Sequence, residues 1–233
     1  MLKYAQLSTQ FGAERMKAEV ALLEASFWKQ HYNKKDYKGE WSVLPLRSIN
    51  GDTESIYAVA SGSNMHRYAD TPLLQHCPYL QEVLSFFQCE KTAVRLMKLN
   101  ASSTIEEHRD TALNFEDGEA RLHIPVATNS QVVFFLEKEP LYLQEGECWY
   151  LNLSLPHSVQ NNGLSDRVHL VIDCVVNDWL RNQITAQATR QKREEAKAPG
   201  MDNDSRQKMI AELRRMNTTV ALELAAKLEK EST

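Results

Sequence analysis

The segment from Thr92 to Val176 limits what this chain can fold into more than any other part of it. Extended runs at Thr92–Leu99, Ala120–Val126, Gln131–Leu136, Glu147–Leu153 and Arg167–Val176 are rich in β-branched and aromatic residues. Such residues pack well on a pleated surface, and the intervening Asp117-Gly118 and Glu145-Gly146 pairs favour sharp reversals. No helical pattern separates the runs. Short strands joined by tight turns leave no room for the crossovers of a parallel sheet, so the expected fold is mainly β, an antiparallel sandwich or jelly roll.

The flanks read differently. Ala13, Met16, Val20, Leu23 and Phe27 recur at three- and four-residue intervals, which predicts an amphipathic helix ending near Gln30. Between His31 and Arg67, short apolar runs around Trp41, Leu44, Ile56 and Val59 alternate with turn formers, which fits short strands and loops. Pro72 to Phe87 predicts a second helix with Thr71 as N-cap and Pro72 at its first position. After Asn177 the chain is expected to be helical through Lys197, to break at Ala198-Pro199-Gly200 and to restart at Asp204. Met209, Leu213, Met216, Val220, Leu224 and Leu228 then form one apolar stripe, which needs cover from the domain itself or from a second copy in a homodimer. The expected organisation is a domain over 1–180 and a C-terminal helical extension over 181–233.

Composition narrows the partners. A net charge of -4, from 27 basic and 31 acidic residues, provides no electrostatic footprint for nucleic acid or an anionic membrane. The N-terminal segment carries Lys3, Glu14, Arg15, Lys17 and Glu19 and holds no uninterrupted apolar stretch, so the expectation is a soluble, cytoplasmic protein. Cys77, Cys89, Cys148 and Cys174 have no C-x-x-C spacing and are expected as reduced, buried thiols.

His108 and Asp110 are two apart, so in an extended segment both side chains leave one face and can share a metal ion. His157, beside a later strand, supplies a second imidazole. Two imidazoles and one carboxylate with open positions left over are the donor set of non-haem Fe(II) oxygenases. Arg121 and His123 share one face of their strand, as do Arg167 and His169 of theirs. Cationic groups on an inward face need an anionic partner to offset desolvation, and a dicarboxylate co-substrate provides one.

The stretches Glu107-His108-Arg109-Asp110, Arg121-Leu122-His123-Ile124-Pro125-Val126, Gly146-Glu147-Cys148-Trp149-Tyr150-Leu151-Asn152, Leu155-Pro156-His157-Ser158 and Arg167-Val168-His169-Leu170-Val171-Ile172-Asp173 together resemble the aspartyl/asparaginyl β-hydroxylase family, including its small bacterial amino-acid hydroxylases. The resemblance runs from about Trp41 to Trp179 and excludes the C-terminal stripe. It implies a cupin-like double-stranded β-helix that binds Fe(II) through His108, Asp110 and His157, and 2-oxoglutarate through Arg121, His123 and Arg167. It further implies O2-dependent hydroxylation of a small molecule with release of succinate and CO2. The protein-modifying members lack the carboxylate ligand, so Asp110 places this chain with the small-molecule branch. Alternatives are hydroxylation of Asp or Asn in a polypeptide, and a non-catalytic cupin-like module that binds a small acid. Trp149, Tyr150 and Leu151 are expected in the core. Arg95 and Arg109 are open between substrate recognition and a structural role, and His169 between pocket lining and a strand hydrogen bond.

Overall fold

The computed structural model describes residues 1–23, 25–57, 67–110, 113–197 and 203–216, with scattered positions from 218 to 229. Met1–Thr189 form one compact unit and Arg190–Thr233 another.

The first unit holds two antiparallel sheets. The larger is ordered β1 (Tyr4–Gln10), β11 (Glu147–Leu151), β8 (Glu119–Ala127), β13 (Arg167–Val175), β6 (Lys91–Leu99), β4 (Trp41–Ile49) and β2 (Lys29–Gln30), with β5 (Tyr68–Asp70) also paired to β4. The smaller is ordered β10 (Glu139–Leu141), β9 (Val132–Leu136), β12 (His157–Asn161), β7 (Ser103–His108) and β3 (Tyr37–Lys38). From β6 to β13 the chain passes repeatedly between the sheets, so residues distant in sequence become neighbours.

The larger sheet is buried on both faces, which is why its central strands read as apolar runs. On one face Leu96, Leu122, Ile124, Leu170 and Ile172 pack with Met16 of α1 (Ala13–Ala21), Leu80 and Val83 of α2 (Pro78–Phe86), and Leu180 and Ile184 of α3 (Asp178–Lys197). On the other, Val43, Met97, Leu99, Leu151 and Val171 pack with Ile105, Phe134, Leu136 and Val159 of the smaller sheet. The alternation along β13 therefore turns Leu170 and Ile172 to the helices, and Arg167, His169, Val171 and Asp173 to the space between the sheets.

Two helices depart from expectation. The first stops at Ala21, its end tightened by i to i−3 bonds from Leu22 to Glu19 and from Leu23 to Val20. Beyond it, Ala25–Phe27 make a 3₁₀ turn, and Lys29–Gln30 gain hydrogen bonds at the edge of β4 that a longer helix would forgo. The segment from Pro72 is a 3₁₀ helix to His76, and α2 starts afresh at Pro78. Pro78 has no N–H for a continuous helix and drives Cys77 out of helical geometry, to φ −125° and ψ 69°. Thr71 does not cap; its hydroxyl donates to the carbonyls of Pro45 and Leu46 and ties the segment to β4.

The reversals at Gly118 and Gly146 have left-handed φ of 97° and 79°. A Cβ at Gly146 would collide with the carbonyl oxygen of Phe11, whose N–H donates to Gly146. All four cysteines are buried free thiols. Tyr150 and Leu151 are core residues and Trp149 packs at its edge.

In the second unit, α4 (Asn203–Met216) carries Met209 and Met216 exposed. Leu224 is exposed too, whereas Val220 and the Ala198-Pro199-Gly200 break lie outside the described residues. Among the described residues, no helix is long and apolar enough to cross a membrane.

Candidate metal centre

β7 and β12 run side by side, and their register sets His108 at the end of one opposite His157 at the start of the other. The two rings lie 4.2 Å apart between centroids. Asp110 follows just past β7, held where its N–H donates to the carbonyl of Leu153 at 2.9 Å. One ligating atom from each of these three residues lies within 4.8 Å of the others.

Both imidazoles are prepared as ligands. Nδ1 of His108 is 2.8 Å from the carbonyl oxygen of Glu106, and Nδ1 of His157 is 3.0 Å from that of Leu155. A carbonyl accepts but cannot donate, so each Nδ1 carries the proton and each Nε2 keeps its lone pair. Burial first, then the neighbouring His108, pushes His157 down to about 4, which keeps it neutral and able to bind a metal. The donor set and its tautomers thus fit a non-haem ferrous ion.

The three residues open onto a cavity of about 410 Å³ between the sheets, whose wall includes His31, Trp41, Arg95, Arg121, His123 and Arg167. Arg121 lies in the sheet behind Asp110. Its Nη1 donates to Oδ2 of Asp110 at 2.5 Å, its Nε to Oδ1 of Asp173 at 2.5 Å, and its Nη2 to Oδ2 of Asp173 at 3.1 Å. Arg95 adds a donation from Nη2 to Oδ2 of Asp173 at 2.7 Å. Burial alone would raise the Asp173 pKa, but the charges of Arg121 and Arg95 outweigh it and hold the carboxyl below its usual range.

Arg167 is different. It is 3% exposed, and Nη2 donates to Nδ1 of His169 at 2.9 Å. Among the described residues no carboxylate pairs with it, and its Nε has no hydrogen-bond partner. Burial with no compensating anion pushes its pKa down to about 9. His169 accepts from Arg167 and so carries its own proton on Nε2, which is buried and unpartnered, as is Nε2 of His123. Nε of Arg95 and Nε1 of Trp41, also in the cavity wall, are buried and unpartnered too, but Arg95, unlike Arg167, pairs with a carboxylate.

The spacing thus brings His108, Asp110 and His157 together, with Arg121, His123 and Arg167 around the same cavity. Arg109 is exposed at its edge, where Nη1 donates to the carbonyl of Ser154 at 2.9 Å. Sequence reasoning missed that Asp173 pairs with both Arg121 and Arg95. It also missed the wall built by the irregular segment after β2, where His31 stacks on Trp41 with centroids 3.5 Å apart.

A family model described as Aspartyl/Asparaginyl beta-hydroxylase matches residues 12–176. The L-proline cis-4-hydroxylase of Rhizobium meliloti (strain 1021) is 28% identical over 166 residues, 70% of this chain but only 57% of that protein's length. Among solved structures, an oxidoreductase of the 2OG-Fe(II) oxygenase family from Burkholderia pseudomallei covers 71% of this chain and 81% of its own, at 15% identity and a TM-score of 0.46. A prolyl-4-hydroxylase from Pseudomonas putida covers 75% and 93%, at 10% identity and a TM-score of 0.45.

Proposed function

Because the chain belongs to the aspartyl/asparaginyl β-hydroxylase family, we propose that it is an Fe(II)- and 2-oxoglutarate-dependent oxygenase hydroxylating a C–H bond of a free or derivatised amino acid or a related small molecule. The observation that carries this reading is Arg167, a buried guanidinium that pairs with no carboxylate among the described residues and that lines, from the larger sheet, the same cavity as the His108, Asp110 and His157 cluster. A site with donors for a divalent cation and a separate, uncompensated cation lacks a small anion that reaches both. 2-Oxoglutarate has that chemistry. The interleaved sheets, with the site between them, are read as a double-stranded β-helix.

In this reading His108, Asp110 and His157 hold the ion, which when bound supplies the oxygen-activating redox chemistry that drives decarboxylation to succinate and CO2. The protein's part is placement. Arg167 receives the remote carboxylate of the co-substrate through its planar fork, and His169 holds that fork in orientation. Nε2 of His123 supplies a further polar contact on the same wall. The sheets and the aromatic stack of His31 on Trp41 keep bulk water from the reacting face. A cavity of about 410 Å³ suits a small ligand rather than a folded polypeptide, and the likeness to an L-proline hydroxylase points the same way.

The test is anaerobic reconstitution of the full chain with Fe(II), then exposure to O2 with 2-oxoglutarate and a panel of amino acids and their N-acyl derivatives, including L-proline. Substrate-dependent succinate and a product heavier by one oxygen are expected, and both should vanish in His108→Ala and His157→Ala variants that fold as wild type does. Wild-type turnover by either variant would remove the ligand assignment. Binding of 2-oxoglutarate with no succinate from any panel member would favour a non-catalytic binding module.

A further inference from the structure

The two oxygens of Asp110 have different neighbours. Oδ1 lies 3.9 Å from Nε2 of His108, on the side of the ligand cluster, whereas Oδ2 accepts from Nη1 of Arg121 at 2.5 Å. Arg121 is itself immobilised. The residue opposite it in the β8 and β13 register is Asp173, whose two oxygens take Nε and Nη2, and Arg95 on β6 grips Asp173 from the far side. A guanidinium is planar, so fixing Nε and Nη2 on one carboxylate fixes where Nη1 points.

This buried group of two arginines and one aspartate is a poor device for stability. Taking three charges out of water costs so much that apolar replacements of similar volume often do as well or better. Its arrangement makes sense as a means of orientation, since three adjacent strands converge to aim one N–H at one oxygen of the carboxylate ligand. We infer that Arg121 is a positioning residue of the metal centre, anchored by Asp173 and Arg95, which occupies Oδ2 of Asp110 and leaves Oδ1 as the single oxygen offered to the ion. This rests on the iron reading above and gives Arg121 a task other than gripping the co-substrate.

The test is the affinity of the chelator-stripped full chain for Co(II), titrated without 2-oxoglutarate and followed by its visible d–d absorption. Loss of an outer-shell partner typically weakens metal binding ten- to a hundredfold, so Arg121→Lys and Asp173→Asn are each expected to raise the Co(II) dissociation constant by roughly that factor and to alter the band envelope. The double variant should bind no more weakly than the weaker single, because both changes act through the same oxygen. Thermal unfolding by circular dichroism establishes which variants are folded. Should Asp173→Asn fail to fold, Arg95→Lys takes its place, with weakened Co(II) binding again expected. Wild-type Co(II) affinity in folded Arg121→Lys overturns the inference, and a simultaneous loss of 2-oxoglutarate affinity would mark Arg121 as a co-substrate contact instead. If His157→Ala binds Co(II) as tightly as wild type, the metal-centre reading itself has failed and this inference falls with it.

Discussion

Arg167 donates to a neutral imidazole where most buried arginines donate to a carboxylate. If the missing anion is the far carboxylate of 2-oxoglutarate, two parallel charged hydrogen bonds form that a lysine ammonium cannot reproduce. Losing one such bond in a desolvated pocket costs about 1.5–3 kcal/mol, roughly ten- to a hundredfold in affinity. Arg167→Lys is therefore expected to weaken 2-oxoglutarate binding by that factor in an anaerobic titration of the Fe(II) protein, with Fe(II) affinity unchanged. Equal dissociation constants for the two proteins would exclude Arg167 from the co-substrate site. At this scale the sequence was informative where chemistry is local: the two-residue spacing of Arg167 and His169 expresses the period of a strand, whereas β7 ends at His108 and Asp110 is placed beyond it by its N–H bond to the carbonyl of Leu153. It was silent where chemistry depends on register. Nothing near Asp173 says that Arg121 lies opposite it, since 52 residues separate them and only the pairing of β8 with β13 brings them together.

The elements that carry the metal ligands were the hardest to read. β7 and β12 bury little besides Ile105 and Val159 in the apolar core, and their remaining positions are hydroxyls, amides, glutamates and the histidines themselves. A strand whose inner face serves as a ligand platform loses the apolar alternation by which strands are recognised. The inner strands β6, β8, β11 and β13 of the larger sheet were legible to within two residues of their ends, whereas β1 at its edge, only partly buried, was not read and Lys29–Gln30 fell inside the expected helix. Pro78 is the signal for two short helices, and an expectation built on Thr71 and Pro72 at the start of the segment passed over it. In the C-terminal unit the expected stripe exists in part, with Met209, Met216 and Leu224 exposed. Apolar groups that repeat along a helix without cover favour association. Truncation after Lys197 is expected to lower the particle mass measured by light scattering at fixed concentration and to leave Co(II) affinity unchanged. Equal masses per chain for the two proteins would show that this stripe does not join copies.

For the whole molecule, the decisive charges are histidines kept neutral. Burial first, then Arg95, pushes His31 down to about 3. Burial first, then Arg167, holds His123 and His169 well below their usual range. A folded-state pKa below that of the unfolded chain means that acid is taken up preferentially by the unfolded chain. Stability contributed by such a group is intact above about pH 6.5, falls as the pH drops below that value and levels off only below the folded pKa. For His31 that window runs from about 6.5 to about 3, and at pH 5 its share of the loss is about 2 kcal/mol. This is a large fraction of the roughly 5–15 kcal/mol that holds a domain folded. Asp173 adds nothing between pH 7 and pH 5, because its pKa lies below 3.8 and its own loss begins at lower pH. The urea midpoint of the metal-free protein is therefore expected to fall markedly from pH 7 to pH 5. His31→Phe, which keeps a ring stacked on Trp41 but has no proton to gain, should lose about 2 kcal/mol less over the same interval. Parallel pH profiles for wild type and His31→Phe would show that the stacked imidazole takes up its proton in the folded state as readily as in the unfolded chain, and that the wall of the cavity at His31 is wetter than its burial implies.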